Sequence, residues 1–127
     1  EIIETFTRAQ SWDSKHREIM LLGKTLQRMD KSLRNDETII SGCESSAWLS
    51  VHLSPQGVFS FTADSDAKVI RGLIVIVLAA LNDKTAAQIN GFNMEQYFVT
   101  LGLLQHLSPS RGNGLLAIVN KIKQASL

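Results

Sequence analysis

The chain is poor in cysteine: Cys43 is the only one among 127 residues. That excludes an intrachain disulfide, a cysteine-ligated zinc site and a thiolate-held cluster built by this chain alone. Charge of one sign is lacking too, because 13 Lys and Arg face 12 Asp and Glu for a formal net charge of +1. No electrostatic case arises for nucleic acid or for an acidic substrate. The longest apolar run, "LIVIVLAAL" from Leu73 to Leu81, falls short of the ~20 residues of a membrane span and reads as core. The sequence shows no repeat, low-complexity tract or linker, and its first residues, "EIIETF", have no charged-then-apolar signal pattern. With 44% hydrophobic and 20% charged residues, the bulk composition suits one globular domain spanning 1–127. A free thiol fits a reducing compartment, so the expected location is the cytoplasm.

Residues 1–9 read as a short helix with Ile2, Ile3 and Phe6 on one side. Ser11 is placed to cap a second helix, roughly 12–28, in which Ile19, Leu22 and Leu26 recur at helical spacing. The polar "DKSLRND" ends it and leads to an extended "ETIIS". "AWLSVHL" and "VFSFTA" are β-rich runs separated by the hairpin punctuation "SPQG". Alternation puts Ala47, Leu49, Val51 and Leu53 on one face and Trp48, Ser50 and His52 on the other. "DSDAKVIRGLIVIVLAALND" predicts a long buried helix, with Asp64 or Ser65 as its cap. Two shorter helices follow in "TAAQI" and "NMEQYFVTL", capped by Thr85 and Asn93 and stopped at Gly102. The last helix takes Ser108 as cap and Pro109 as its first residue, with Leu115, Ile118, Val119 and Ile122 as its core stripe. Helices, then strands, then helices describe an α+β domain: a small antiparallel sheet of about three strands with helices packed around it.

The chemistry concentrates in "SGCESS". A thiol reacts as its thiolate, and a free cysteine has a pKa of ~8.5 unless its surroundings lower it. Gly42 permits a sharp turn and clears space beside the sulfur, while Glu44, Ser45 and Ser46 supply no positive charge. Arg111, in the first turn of the last helix beside Gly112 and Gly114, lies where free N–H groups and the helix dipole favour an anion. From the residues alone, Cys43 is either a small buried hydrophobe or a nucleophile, and Arg111 either a solvated cation or its partner. His16, His52 and His106 are candidate bases, with surface or packing roles favoured for the first two. Asp64 and Asp66 are explained more cheaply by capping than by acid–base chemistry.

Four segments together, "SGCESSAWL", "DSDAKVIRGL", "LSPSRGNGL" and the spaced Trp12–Lys24 pattern W-D-x-K-x-R-x-I-x-x-L-G-K, resemble the SufE family of sulfur-acceptor proteins. "REIMLLGK" and "KTAA" look closer to its CsdE branch. The resemblance implies a fold shared with IscU-type scaffolds. It implies a carrier that accepts persulfide sulfur from a PLP-dependent cysteine desulfurase (SufS- or CsdA-like), stimulates that desulfurase and passes sulfur on for iron–sulfur cluster assembly. The acceptor cysteine falls on Cys43, the second aspartate of the "DSD" element on Asp66, and the arginine of the "SR" element on Arg111. No bound cofactor is expected: the persulfide on Cys43 is transient and the PLP belongs to the partner. The expected partners are the desulfurase and a downstream acceptor or scaffold, with neither nucleic acid nor membrane. In this reading the chain is a persulfide sulfurtransferase and desulfurase activator rather than an independent enzyme, with Trp48 and Ile70 as apolar shelter for the sulfur. The alternatives are an IscU-type scaffold, which needs several cysteines, a monothiol thioltransferase, which needs its nucleophile at a helix start in a βαβ unit, and a cysteine hydrolase, which needs an oriented histidine.

Overall fold

The computed structural model describes residues 2–9, 11–29, 32, 34, 39–40, 46–103 and 109–125, without the side chains of Ile2, Ile3, Thr7, Trp12, Pro109, Ser110 and Arg111. In chain order its elements are α1 (Ile2–Arg8), α2 (Trp12–Thr25), β1 (Ala47–Leu53), β2 (Val58–Ser65), α3 (Lys68–Leu81), β3 (Lys84–Thr85), α4 (Ala86–Gly91), α5 (Met94–Leu101) and α6 (Pro109–Ala125). The strands form one antiparallel sheet in the order β1-β2-β3. This is the expected α+β arrangement.

The β1–β2 register pairs Leu49 with Ala63, Val51 with Phe61 and Leu53 with Phe59, so one face collects apolar residues from both strands. Phe59 and Phe61 stack with ring centroids 6.2 Å apart. Against this face lies α3, whose Ile70, Leu73, Ile74 and Val77 are buried with Ala47, Leu49 and Ala63. The α6 stripe of Leu115, Ile118, Val119 and Ile122 joins the same core. Ser11, Thr85 and Asn93 accept the expected first-turn N–H bonds, and Gly102 ends α5 in the left-handed region at φ 70°. Ser108 lies outside the described residues.

Two expectations fail locally. Helix α2 stops at Thr25 rather than near residue 28, because residues 26–29 turn to serve a buried carboxylate. That carboxylate is Asp64, which caps no helix: β2 continues through Asp64 and Ser65, and the N-cap of α3 is Ala67 with no side-chain cap bond. Strand β3 escaped notice because two residues carry no alternation; it forms where Asn82 Oδ1 accepts from Phe61 N at 2.8 Å and Asp83 N donates to Phe59 O at 2.8 Å.

Asp64 is fully buried and pairs with the buried Arg71 of α3. It also accepts from Met29 N at 3.0 Å and from Ser65 N at 2.8 Å. Arg71 in turn donates to the carbonyls of Gly23 and Leu26, so one guanidinium closes the C-terminal end of α2, where carbonyls lack intrahelical partners. A second buried cation acts similarly. Lys15 Nζ donates to Phe6 O at 2.8 Å and to Leu101 O at 2.9 Å, joining α1, α2 and α5.

Helices α2 and α3 cross at glycines. A Cβ on Gly72 would overlap the Ile19 carbonyl oxygen, and one on Gly23 would stand 3.0 Å from the Lys68 carbonyl oxygen. Backbone blocks both positions, so relief requires the helices to separate. Gly72→Ala is therefore expected to destabilise the fold by about 3 kcal/mol, measured by denaturant unfolding. Asp64→Asn, which leaves Arg71 charged and buried, is expected to cost about 3–5 kcal/mol in the same assay.

Candidate functional site

Cys43 lies in the segment 41–45, outside the described residues, as do Gly42, Glu44, Ser45 and His106. Both ends of that segment are built. On the entering side Ile39 bridges Trp48 in antiparallel fashion and Ile40 N donates to Ala47 O at 2.8 Å. On the leaving side Ser46 O accepts from Ser65 Oγ at 2.7 Å and from Asp66 N at 3.1 Å. Five residues thus connect two backbone positions that the sheet holds side by side.

Of the predicted site residues, the structure brings Asp66 to this place directly. Its backbone bonds Ser46, three residues past Cys43 in sequence, and its side chain is exposed. Arg111 sits in the first turn of α6 as expected, with its side chain outside the described residues. Helix α6 is tied to the entering side, because Lys121 Nζ donates to Ile39 O at 2.9 Å. A groove of about 540 Å³ runs between Ile40 and the α6 residues Asn113, Leu116 and Asn120. Trp48 and Ile70 do not wall one pocket. Ile70 is in the core with Ala47 and Leu49, whereas Trp48 alternates to the opposite face of β1. His52 is exposed at the end of β1 away from the segment, and His16 is half-buried on α2.

The sequence reading missed the positive charge gathered around this end of the sheet. The Arg34 guanidinium lies over the Trp48 ring, 5.3 Å from its centroid, a cation–π contact that keeps the cation beside β1. Arg28, with 64% of its side chain exposed, stands 3.7 Å from Asp64 and reaches Ser65 O at 3.5 Å. Trp48 and Asp64 are cross-strand partners, so both arginines stand at the same end of the β1–β2 ladder. One signal for Asp64 was available. Past Lys68 at its start, Arg71 is the one charge in α3, and a buried cation requires a buried acceptor. Nothing in the sequence marked Arg34 or Lys121.

With this geometry in view, the similarities to known proteins are informative. The family model described as "SufE: Fe-S metabolism associated domain" matches residues 1–126. A SufE-like protein of Rhizobium etli is 36% identical over 127 residues, covering 98% of this chain and 86% of the relative. Another, from Rhizobium meliloti, is 35% identical over 126 residues, covering 97% and 90%. Among solved structures, the solution structure of a hypothetical protein from Thermus thermophilus superposes with a TM-score of 0.74 over 96% of this chain and 88% of that one. At 10% identity that likeness speaks for the fold alone. Sequence, architecture and the frame around the lone thiol converge: the chain belongs to the SufE family of iron–sulfur metabolism.

Proposed function

We propose that this chain is a sulfur carrier that receives persulfide sulfur on Cys43 from a PLP-dependent cysteine desulfurase, stimulates that enzyme and delivers the sulfur for iron–sulfur cluster assembly. The observation that carries the reading is the frame: the only thiol in the chain lies on a five-residue connection whose two ends are hydrogen-bonded into the sheet. A carrier needs its nucleophile displayed on a short segment and the body behind it rigid. Membership of the family supplies the partner class.

The transfer balances without an external oxidant. The Cys43 thiolate attacks the outer sulfur of the donor's cysteine persulfide, the donor S–S bond breaks, and the donor cysteine leaves as a thiolate. Cys43 then bears the persulfide until an acceptor thiolate repeats the step. Positive charge near the segment favours the thiolate over the thiol, and Arg28 and Arg34 flank the end at which the chain leaves it. Arg111 lies in the first turn of α6, the helix whose Lys121 holds Ile39 at the entering side of the segment. We assign it to hold the incoming sulfur's negative charge, and Asp66 to position the segment through its bond to Ser46.

The other classes fit less well. A scaffold of the IscU type ligates its cluster through several cysteines, and this sequence offers one. A monothiol thioltransferase places its nucleophile at a helix start after a strand of a βαβ unit; here the sheet is antiparallel and the described residue that follows the segment enters β1.

Incubation with a cysteine desulfurase and cysteine is expected to add the mass of one sulfur atom to the chain, and Cys43→Ser to abolish that addition, as read by mass spectrometry. An unmodified wild-type chain would reject the carrier reading. Arg111→Ala is expected to slow sulfur acceptance about tenfold or more, the loss of one charge-assisted contact to the transferring sulfur, with the unfolding midpoint unchanged. Wild-type transfer kinetics in that variant would remove Arg111 from the site.

A further inference from the structure

Helix α2 ends and α3 begins side by side, and their facing turns enclose a cleft of about 420 Å³. Lys24 and Arg28 line it from the α2 side and Lys68 and Arg71 from the α3 side, with Asp66 at its rim. Arg71 is committed to Asp64, and Arg28 is shared between that carboxylate and solvent. Lys24 and Lys68 are exposed, and among the described residues neither has a carboxylate within 4.0 Å. Four cations against two carboxylates on one cleft is a marked concentration for a chain whose net charge is only +1.

The cleft is continuous with the frame of the Cys43 segment. Asp66 at its rim bonds Ser46, and Arg28 at its wall reaches the carbonyl of Ser65, the residue whose hydroxyl also bonds Ser46. The adjacent first turn of α3 adds N–H groups without a side-chain cap, another source of positive potential. A protein docked there adjoins the frame from which the Cys43 segment departs.

We propose that this cleft is the docking face for the sulfur-donating desulfurase, which engages it through a carboxylate-rich segment of its own surface. The inference rests on the carrier reading and adds to it where the donor binds and by what chemistry. Complementary charge of this kind acts mainly on encounter and register. Its loss therefore raises the carrier concentration needed for half-maximal transfer, and it weakens with added salt because exposed charges are screened over ~8 Å at physiological ionic strength.

The test measures the rate of Cys43 persulfidation against carrier concentration, at low and high salt, with the desulfurase that loads the wild-type chain. The variants are Lys24→Glu/Lys68→Glu and, as a control at the far end of the sheet beside Phe59, Lys84→Glu. The double variant is expected to raise the half-saturating concentration about tenfold or more at low salt and to flatten the salt dependence, while Lys84→Glu does neither. Thermal melting checks the fold, and Lys24→Gln/Lys68→Gln supplies a milder version if charge reversal perturbs it. A double variant that matches the wild type within about twofold, or a control that shifts equally, overturns the docking face and leaves the carrier reading standing. A wild-type chain that no desulfurase loads overturns the carrier reading, and the docking face with it.

Discussion

The fold depends on a carboxylate removed from water. Asp64 has no exposure, and an isolated charge there would be costly by several kcal/mol. Its compensation comes from four directions: the Arg71 guanidinium, the Arg28 side chain and the N–H groups of Met29 and Ser65. These groups come from α3, from the segment after α2 and from the end of β2. The result joins the last turn of α2, the segment that follows it, the end of β2 and the first turns of α3 at a single point. Replacing the pair with hydrocarbon of similar volume would leave the Gly23 and Leu26 carbonyls without their donor. The pair therefore specifies geometry more than it adds stability.

That geometry also fixes the frame of the segment that contains Cys43. Ser65 adjoins the buried carboxylate and its hydroxyl holds Ser46, while Asp66, one residue further, bonds the same carbonyl. The frame at one end of the Cys43 segment is thus locked to the buried Asp64 carboxylate. At the other end the lock is helical, through Lys121 and the Ile39–Trp48 bridge.

Much of this was legible in the sequence because periodicity reports burial. The hairpin, the buried α3 and the α6 stripe follow from spacing alone, and the caps at Ser11, Thr85 and Asn93 from local hydrogen-bonding habit. The frame of the site was less legible. Asp64 was read as a cap because an Asp-Ser before an apolar helix usually is one, and only tertiary pairing with Arg71, seven residues on, shows otherwise. Arg34 and Lys121 act across long sequence separations through single contacts, which leave no periodic trace. Cys43, Asp66 and Arg111 were singled out by resemblance to a family, and of these the structure adds a positional reason for Asp66.

The close pinning of residues 40 and 46 has a mechanical consequence. Cys43 is three residues from each, so its backbone can stray no more than roughly 10–11 Å from either pin. A tether so short keeps the Cys43 backbone near the body, so in the carrier role proposed above the whole chain must travel between giver and taker. Under that proposal the donor must present its persulfide, and the acceptor its thiolate, within the same short distance of the carrier's body.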